Sequence, residues 1–128
     1  MAQLITSAQT LTGSWANLGS VQDFSQYFRS AIWLNVDIND SLNVRVRALA
    51  KLGANDALSY TLPIRTVGAS DVKLDAEYYE FNTDADQQML LEVVSNGLAP
   101  CIQFQVMAGT AGASPGQIDN ADITFSNY

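Results

Sequence analysis

Few residues of this chain could carry chemistry, and the missing types narrow the choice first. The 128 residues contain no histidine. Ser-His-Asp and Cys-His nucleophile pairs are therefore impossible, and no imidazole is present to ligate a metal. The one cysteine, Cys101, cannot close an internal disulfide. In the apolar run Pro100-Cys101-Ile102 it reads as a small buried hydrophobe. A disulfide-free chain of this size points to assembly in a reducing cytoplasm. Asn82-Thr83-Asp84-Ala85-Asp86 has the alternating oxygen donors of a calcium loop. An EF-hand also needs Gly at its sixth position and Glu at its twelfth, where Gln87 and Val93 stand. A looser site stays open, with Asp37, Asn39 and Asp40, or Asp119, Asn120 and Asp122, as ligand clusters, but acid-rich turns are common on an acidic chain. No metal and no other cofactor is expected.

Paired carboxylates can cleave glycosides, but thirteen acids bring some pair together by chance. No Gly-rich phosphate loop and no G-x-S-x-G elbow occurs, so the chain is not expected to be an enzyme. The remaining chemistry is aromatic. Trp15, Trp33, Tyr60, Tyr78 and Tyr79 could offer flat rings to pyranose faces, with amides and acids for the hydroxyls. Alternation groups Tyr60 with Leu62 and Ile64 in a core set. Tyr78 and Tyr79 must point to opposite faces, so one of them is expected to be buried. Trp15, just after a turn, is expected to plug one end of the fold.

The elements that would position these residues have a period close to 2. Ile32, Leu34, Val36 and Ile38 alternate with Trp33, Asn35 and Asp37. Val44, Val46, Ala48, Ala50 and Leu52 alternate with neighbours that include Arg45, Arg47 and Lys51. Ile102, Phe104 and Val106 alternate with Gln103, Gln105 and Met107, and Ala121, Ile123 and Phe125 with Asp122, Thr124 and Ser126. Each segment buries one face and wets the other, as antiparallel sheets do. Further strands are expected at Gln3–Leu11, Leu58–Thr66, Val72–Ala76, Glu77–Asn82 and Met89–Ser95, separated by turn-rich stretches. Asp84–Val94 offers the best helical alternative, with Asp84 as a cap. The expected fold is all-β: a single antiparallel β-sandwich over residues 1–128, jelly-roll-like, with about eight or nine strands.

One pairing can be derived from the pattern. If Ile32–Asn39 and Asn43–Leu52 form a hairpin, keeping both apolar sets on one face places Asp37 opposite Arg45 and Asn35 opposite Arg47. It also leaves Trp33 beside Leu49 on the wet face. Such a pair is either a partner surface or covered by a loop or the N-terminal segment. Ala108–Gly116 (Ala108, Gly109, Thr110, Ala111, Gly112, Ala113, Ser114, Pro115, Gly116) has no large side chain. It reads as a flexible surface loop or a segment ordered by a neighbouring subunit. Residues 1–10 read as an edge strand or an exchanged arm.

Charge and composition bound the partners. Hydrophobic residues make up 48% and charged residues 15%, enough apolar material for a core and well short of disorder. The net charge of −7 argues against nucleic acid and anionic membrane as partners. All six bases lie before residue 74, and eight of the acids after it; the simplest reading is a solvated, self-repelling surface. The N-terminal stretch shows no basic region followed by a long apolar one, so no signal peptide is expected. No apolar run reaches membrane-spanning length.

Three segments carry a likeness to a known group of proteins. Leu11-Thr12-Gly13-Ser14-Trp15-Ala16-Asn17-Leu18-Gly19, Asp23-Phe24-Ser25-Gln26-Tyr27 and Ile32–Asn39 resemble small β-sandwich structural proteins of tailed bacteriophages: head-decoration, head-fibre or tail-module domains. The likeness extends through Leu49-Ala50-Lys51 and Gly116–Ile123. It implies a virion protein assembled in the host cytoplasm, a capsid decoration or cement subunit that braces the major capsid protein or other virion proteins. It further implies a homo-oligomer, with a trimer the first expectation. The alternative is a carbohydrate- or receptor-binding module of a fibre or tail. The expected contact residues are Trp33, Leu49, Arg45, Arg47 and Ala108–Gly116.

Overall fold

Alternating apolar residues cannot all be buried by a single sheet, so the strands stack as two. The computed structural model describes residues 2–55, 57–66, 78–81, 86–94 and 100–127. Eleven strands occur among them. They are β1 (Ala2–Gln3), β2 (Gln9–Thr10), β3 (Ala16–Asp23), β4 (Arg29–Asn39), β5 (Leu42–Lys51), β6 (Ser59–Leu62), β7 (Ile64–Thr66), β8 (Tyr79–Glu80), β9 (Gln87–Val94), β10 (Cys101–Thr110) and β11 (Pro115–Ser126). Sheet A runs β1-β11-β4-β9-β7, with β2 also on β11. Sheet B runs β3-β10-β5-β6, with β8 on β5. Every pairing is antiparallel.

With β1 and β2 taken as one interrupted strand and the short β7 and β8 set aside, the pairing is nested. The first strand pairs with the last, β3 with β10, β4 with β9, and β5 with β6. A long hairpin rolled on itself gives this order, which is that of a jelly roll. The chain is thus the expected all-β sandwich.

The core lies between the sheets. Ile32, Leu34, Val36, Ile38, Leu91, Val93, Ile118, Ala121 and Ile123 enter it from sheet A. Leu18, Val44, Val46, Ala48, Ile102, Phe104 and Val106 enter from sheet B. Phe24 and Phe81 fill it from the connections.

The derived hairpin is corrected. β4 pairs with β11 and β9, whereas β5 pairs with β10, β6 and β8. The two strands face each other across the core instead of lying side by side. Alternation fixed which side chains are buried, and a sandwich satisfies that pattern as well as a hairpin does. The short turn crosses between sheets with Asn39 and Asn43 at positive φ (47° and 56°), a region asparagine tolerates better than most residues.

Leu58–Thr66 is likewise two strands, not one. Pro63 separates them; it has no N–H to give a ladder. There the chain leaves sheet B for sheet A. Ile64 is buried after the switch, while Tyr60 before it is 77% exposed. Tyr60 is therefore not a core residue. The helical alternative over Asp84–Val94 is also corrected, since Gln87–Val94 is the strand β9. Val72–Ala76 and most of the calcium-like loop lie outside the described residues.

Candidate functional site

The outer face of sheet A is built from the side chains that β4, β9 and β11 turn away from the core. Register sets them in rungs. Trp33 of β4 stands between Asp122 of β11 and Leu90 of β9. One rung along, Asn35 stands between Asn120 and Gln88. Two residues on the same face of a strand lie about 7 Å apart, so the indole borders a row of three amides. An open groove of about 370 Å³ lies over these rungs, lined by Trp33, Asn35, Gln88, Leu90, Asn120 and Asp122 among others. It adjoins a second hollow of about 310 Å³ that shares Asn35, Gln88 and Asn120 and adds Asp37, Asp86 and Asp119.

Two of these acids already serve the fold. Asp86 Oδ1 accepts the backbone N–H of Ile38 (2.9 Å). Asp119 Oδ1 accepts from Gln117 Nε2 (2.5 Å). Among the described residues no three His, Cys, Asp or Glu side chains gather closely enough to hold a metal ion.

Further along the same face lies a charge network. Glu92, 5% exposed, receives Arg29 Nη2 at 2.7 Å and Arg65 at 3.0 Å (Nε) and 2.5 Å (Nη2). Burial pushes its carboxyl up, but the bonds from Arg65 and Arg29 outweigh that and hold it below the ordinary glutamate range.

The outer face of sheet B is occupied by its own side chains. Arg45 Nε donates to Glu80 Oε1 (2.7 Å) and its guanidinium lies 5.0 Å from the Tyr78 ring centroid. The Glu80 bond raises the Arg45 pKa further above its already high value. Arg47 Nε donates to Gln105 Oε1 (2.8 Å) and stacks over Trp15 at 4.2 Å. Trp15 is thus a lid on this face, not a plug at the end of the sandwich.

The expected contact residues fare unevenly. Trp33 is exposed at 45%, but Leu49 is 9% exposed and lies in the other sheet. The Trp33–Leu49 pair does not exist, and Leu49 is covered by its own chain. Arg45 pairs with Glu80 rather than Asp37, and Arg47 with Gln105 rather than Asn35.

Ala108–Gly116 is not a loose loop. Ala108, Gly109 and Thr110 end β10, and Pro115 and Gly116 begin β11. The turn between them is tied to the β4–β5 connection. Ser41 Oγ donates to Ala111 O (2.7 Å) and accepts from Gly116 N (2.9 Å). Asp40 N donates to Ser114 O (3.1 Å), and Ser114 N donates to Asp40 Oδ2 (3.2 Å). Gly112 takes φ +86°, and a Cβ there would sit 2.6 Å from Asp40 O. Small residues are needed for this close approach, so the composition that suggested mobility is what permits the packing.

The N-terminal residues form an edge strand on β11, anchored by buried Leu4 and Leu11. Cys101 is half-buried on the outer side of sheet B, across from Lys51 and Asp23, and not a core residue. Tyr79 packs against the core and Tyr78 lies outside with Arg45, so the two tyrosines do point to opposite faces.

Sequence reasoning missed a second exposed region. Among the described residues the large exposed hydrophobics are Phe28, Trp33, Leu42, Leu52, Leu58 and Tyr60. Three of the six, Leu52, Leu58 and Tyr60, lie at the tip end of the β5–β6 hairpin. Their positions continue an apolar pattern, so nothing in their types distinguishes them from core.

No family model matches the chain, and no significant similarity to a curated protein or a solved structure is found.

Proposed function

We propose that the protein is a structural protein of a tailed-phage particle. It acts as a decoration or cement subunit that adheres to the major capsid protein or to other virion proteins. The sequence resemblance supports the particle, and the exposed β5–β6 hairpin supports the adhesive mechanism. Ala50 and Leu62 on this hairpin pack against the core. Tyr60, on the same side of β6 as Leu62, is 77% exposed. Leu52 and Leu58, just beyond the strand ends, are 70% and 69% exposed. The hairpin thus carries apolar surface past the point where the opposite sheet covers it. Clustered exposure of this kind marks a contact surface.

Fully burying one such side chain contributes about 1.5–3 kcal/mol. A single copy would bind modestly, and many copies on a repeating lattice would hold through avidity. Arg45, Arg47 and Leu49 are engaged within the chain and are not part of this surface.

The test is incorporation. Phage carrying the double substitution Leu52→Ser and Tyr60→Ser should yield particles depleted of the protein. The isolated variant should keep its strand-rich circular dichroism, because neither side chain is in the core. Incorporation at the wild-type level would overturn the reading.

A further inference from the structure

We infer that the Trp33 trough on the outer face of sheet A is a binding site for a neutral saccharide. Trp33 sits in the middle of the eleven-residue β4, laddered on both sides. Its ring is thus held by a central strand and not by a loop, the arrangement a preformed site requires. An indole left 45% exposed at that position presents a flat apolar plate, and the C–H face of a pyranose is its complement.

The neighbouring side chains supply the other half of sugar chemistry. Asn35, Gln88, Asn120 and Asp122 make no side-chain hydrogen bond to another described residue. Each amide can donate twice and accept, and the carboxylate accepts. A sugar hydroxyl both donates and accepts, so vicinal hydroxyls can engage such a row in pairs. The groove of about 370 Å³ is in the range of ordinary ligand sites, about 300–1,000 Å³. Its continuation past Asn35 to Asp37 adds about 7 Å, for a span of about 13 Å from Trp33 to Asp37 along the strand, which admits more than one ring.

Charge selects among ligand classes. Asp37, Asp86, Asp119 and Asp122 line the two hollows, and no base does. Uronates, sialylated chains, sulfates and phosphates would be repelled. A purely apolar peptide would cover the amides without satisfying them, which is costly. A neutral, hydroxyl-rich ligand fits the ring, the amides and the charge together. This site is separate from the β5–β6 hairpin and does not depend on where the protein sits in a particle.

The experiment is calorimetric titration of the intact chain with neutral tetrasaccharides of glucose, mannose, galactose and N-acetylglucosamine. Tetragalacturonate, a sialylated lactose and oligolysine are the charged controls. Trp33→Ala and Asn35→Ala are titrated alongside, with circular dichroism confirming their fold. At least one neutral chain should bind, with quenching of tryptophan emission, and Trp33→Ala should weaken it about tenfold or more. Asn35→Ala should weaken it less, and the Leu52→Ser, Tyr60→Ser variant should bind as wild type. Absence of binding across the neutral panel, tighter binding of any charged control, or unchanged affinity in folded Trp33→Ala would each overturn the proposal.

Discussion

At the scale of single residues, two buried polar groups make opposite predictions. Ser30 points into the sandwich, 2% exposed, and its Oγ finds no hydrogen-bond partner among the described residues. A buried hydroxyl without a partner costs free energy. Ser30→Ala should therefore raise stability, by about 1 kcal/mol, read as a higher urea midpoint with unchanged slope. Glu92 is the converse, since both its oxygens are bonded to arginines. Glu92→Gln should cost about 2 kcal/mol at neutral pH, because two guanidiniums lose their counter-charge. The sign of the pH effect follows from the lowered carboxyl. The stability Glu92 contributes is fully present above the ordinary glutamate value of 4.5. It is lost as pH falls from there through the depressed folded value. Thermal unfolding of the wild type should drop over that acid range, and Glu92→Gln should drop less. A parallel fall in both proteins would contradict the network's role.

At the scale of elements, the tie between the β4–β5 turn and the Ala111–Ser114 turn is the feature most open to a single change. Ser41 is fully buried and bridges Ala111 O and Gly116 N. Ser41→Ala should cost about 2 kcal/mol for two buried hydrogen bonds. It should also speed hydrogen exchange at the Gly116 amide more than at core amides of β10. Uniform acceleration would mean that Ser41 acts only through global stability.

This tie also shows where sequence reading stopped. The inward sets of β4, β5, β10 and β11 were legible residue by residue, because alternation states directly which side is buried. Which sheet each strand joins was not, because facing strands and neighbouring strands obey the same alternation. That single ambiguity moved Arg45 from Asp37 to Glu80, and Leu49 away from Trp33. Tyr60 was misplaced because one proline moved the chain between sheets within an unbroken apolar pattern. Trp33 itself was legible, since an aromatic at an outward position breaks the alternation. Its amide neighbours were not, because Asn120 and Gln88 reach it only through the registers of β11 and β9.

At the scale of the whole molecule, the two proposed roles fall on different sheets of the sandwich: apolar adhesion on the β5–β6 hairpin of sheet B and sugar binding in the sheet A trough. The copies are expected to associate about a cyclic axis, a trimer first. Light scattering should give about three times the chain mass, and a strict monomer at high concentration would overturn that expectation, which rests on the sequence resemblance. The central claim is the place in a particle, and quantitative mass spectrometry of gradient-purified particles from the source culture measures it directly. The account predicts copies approaching those of the major capsid protein. Absence of the protein from purified particles would contradict it.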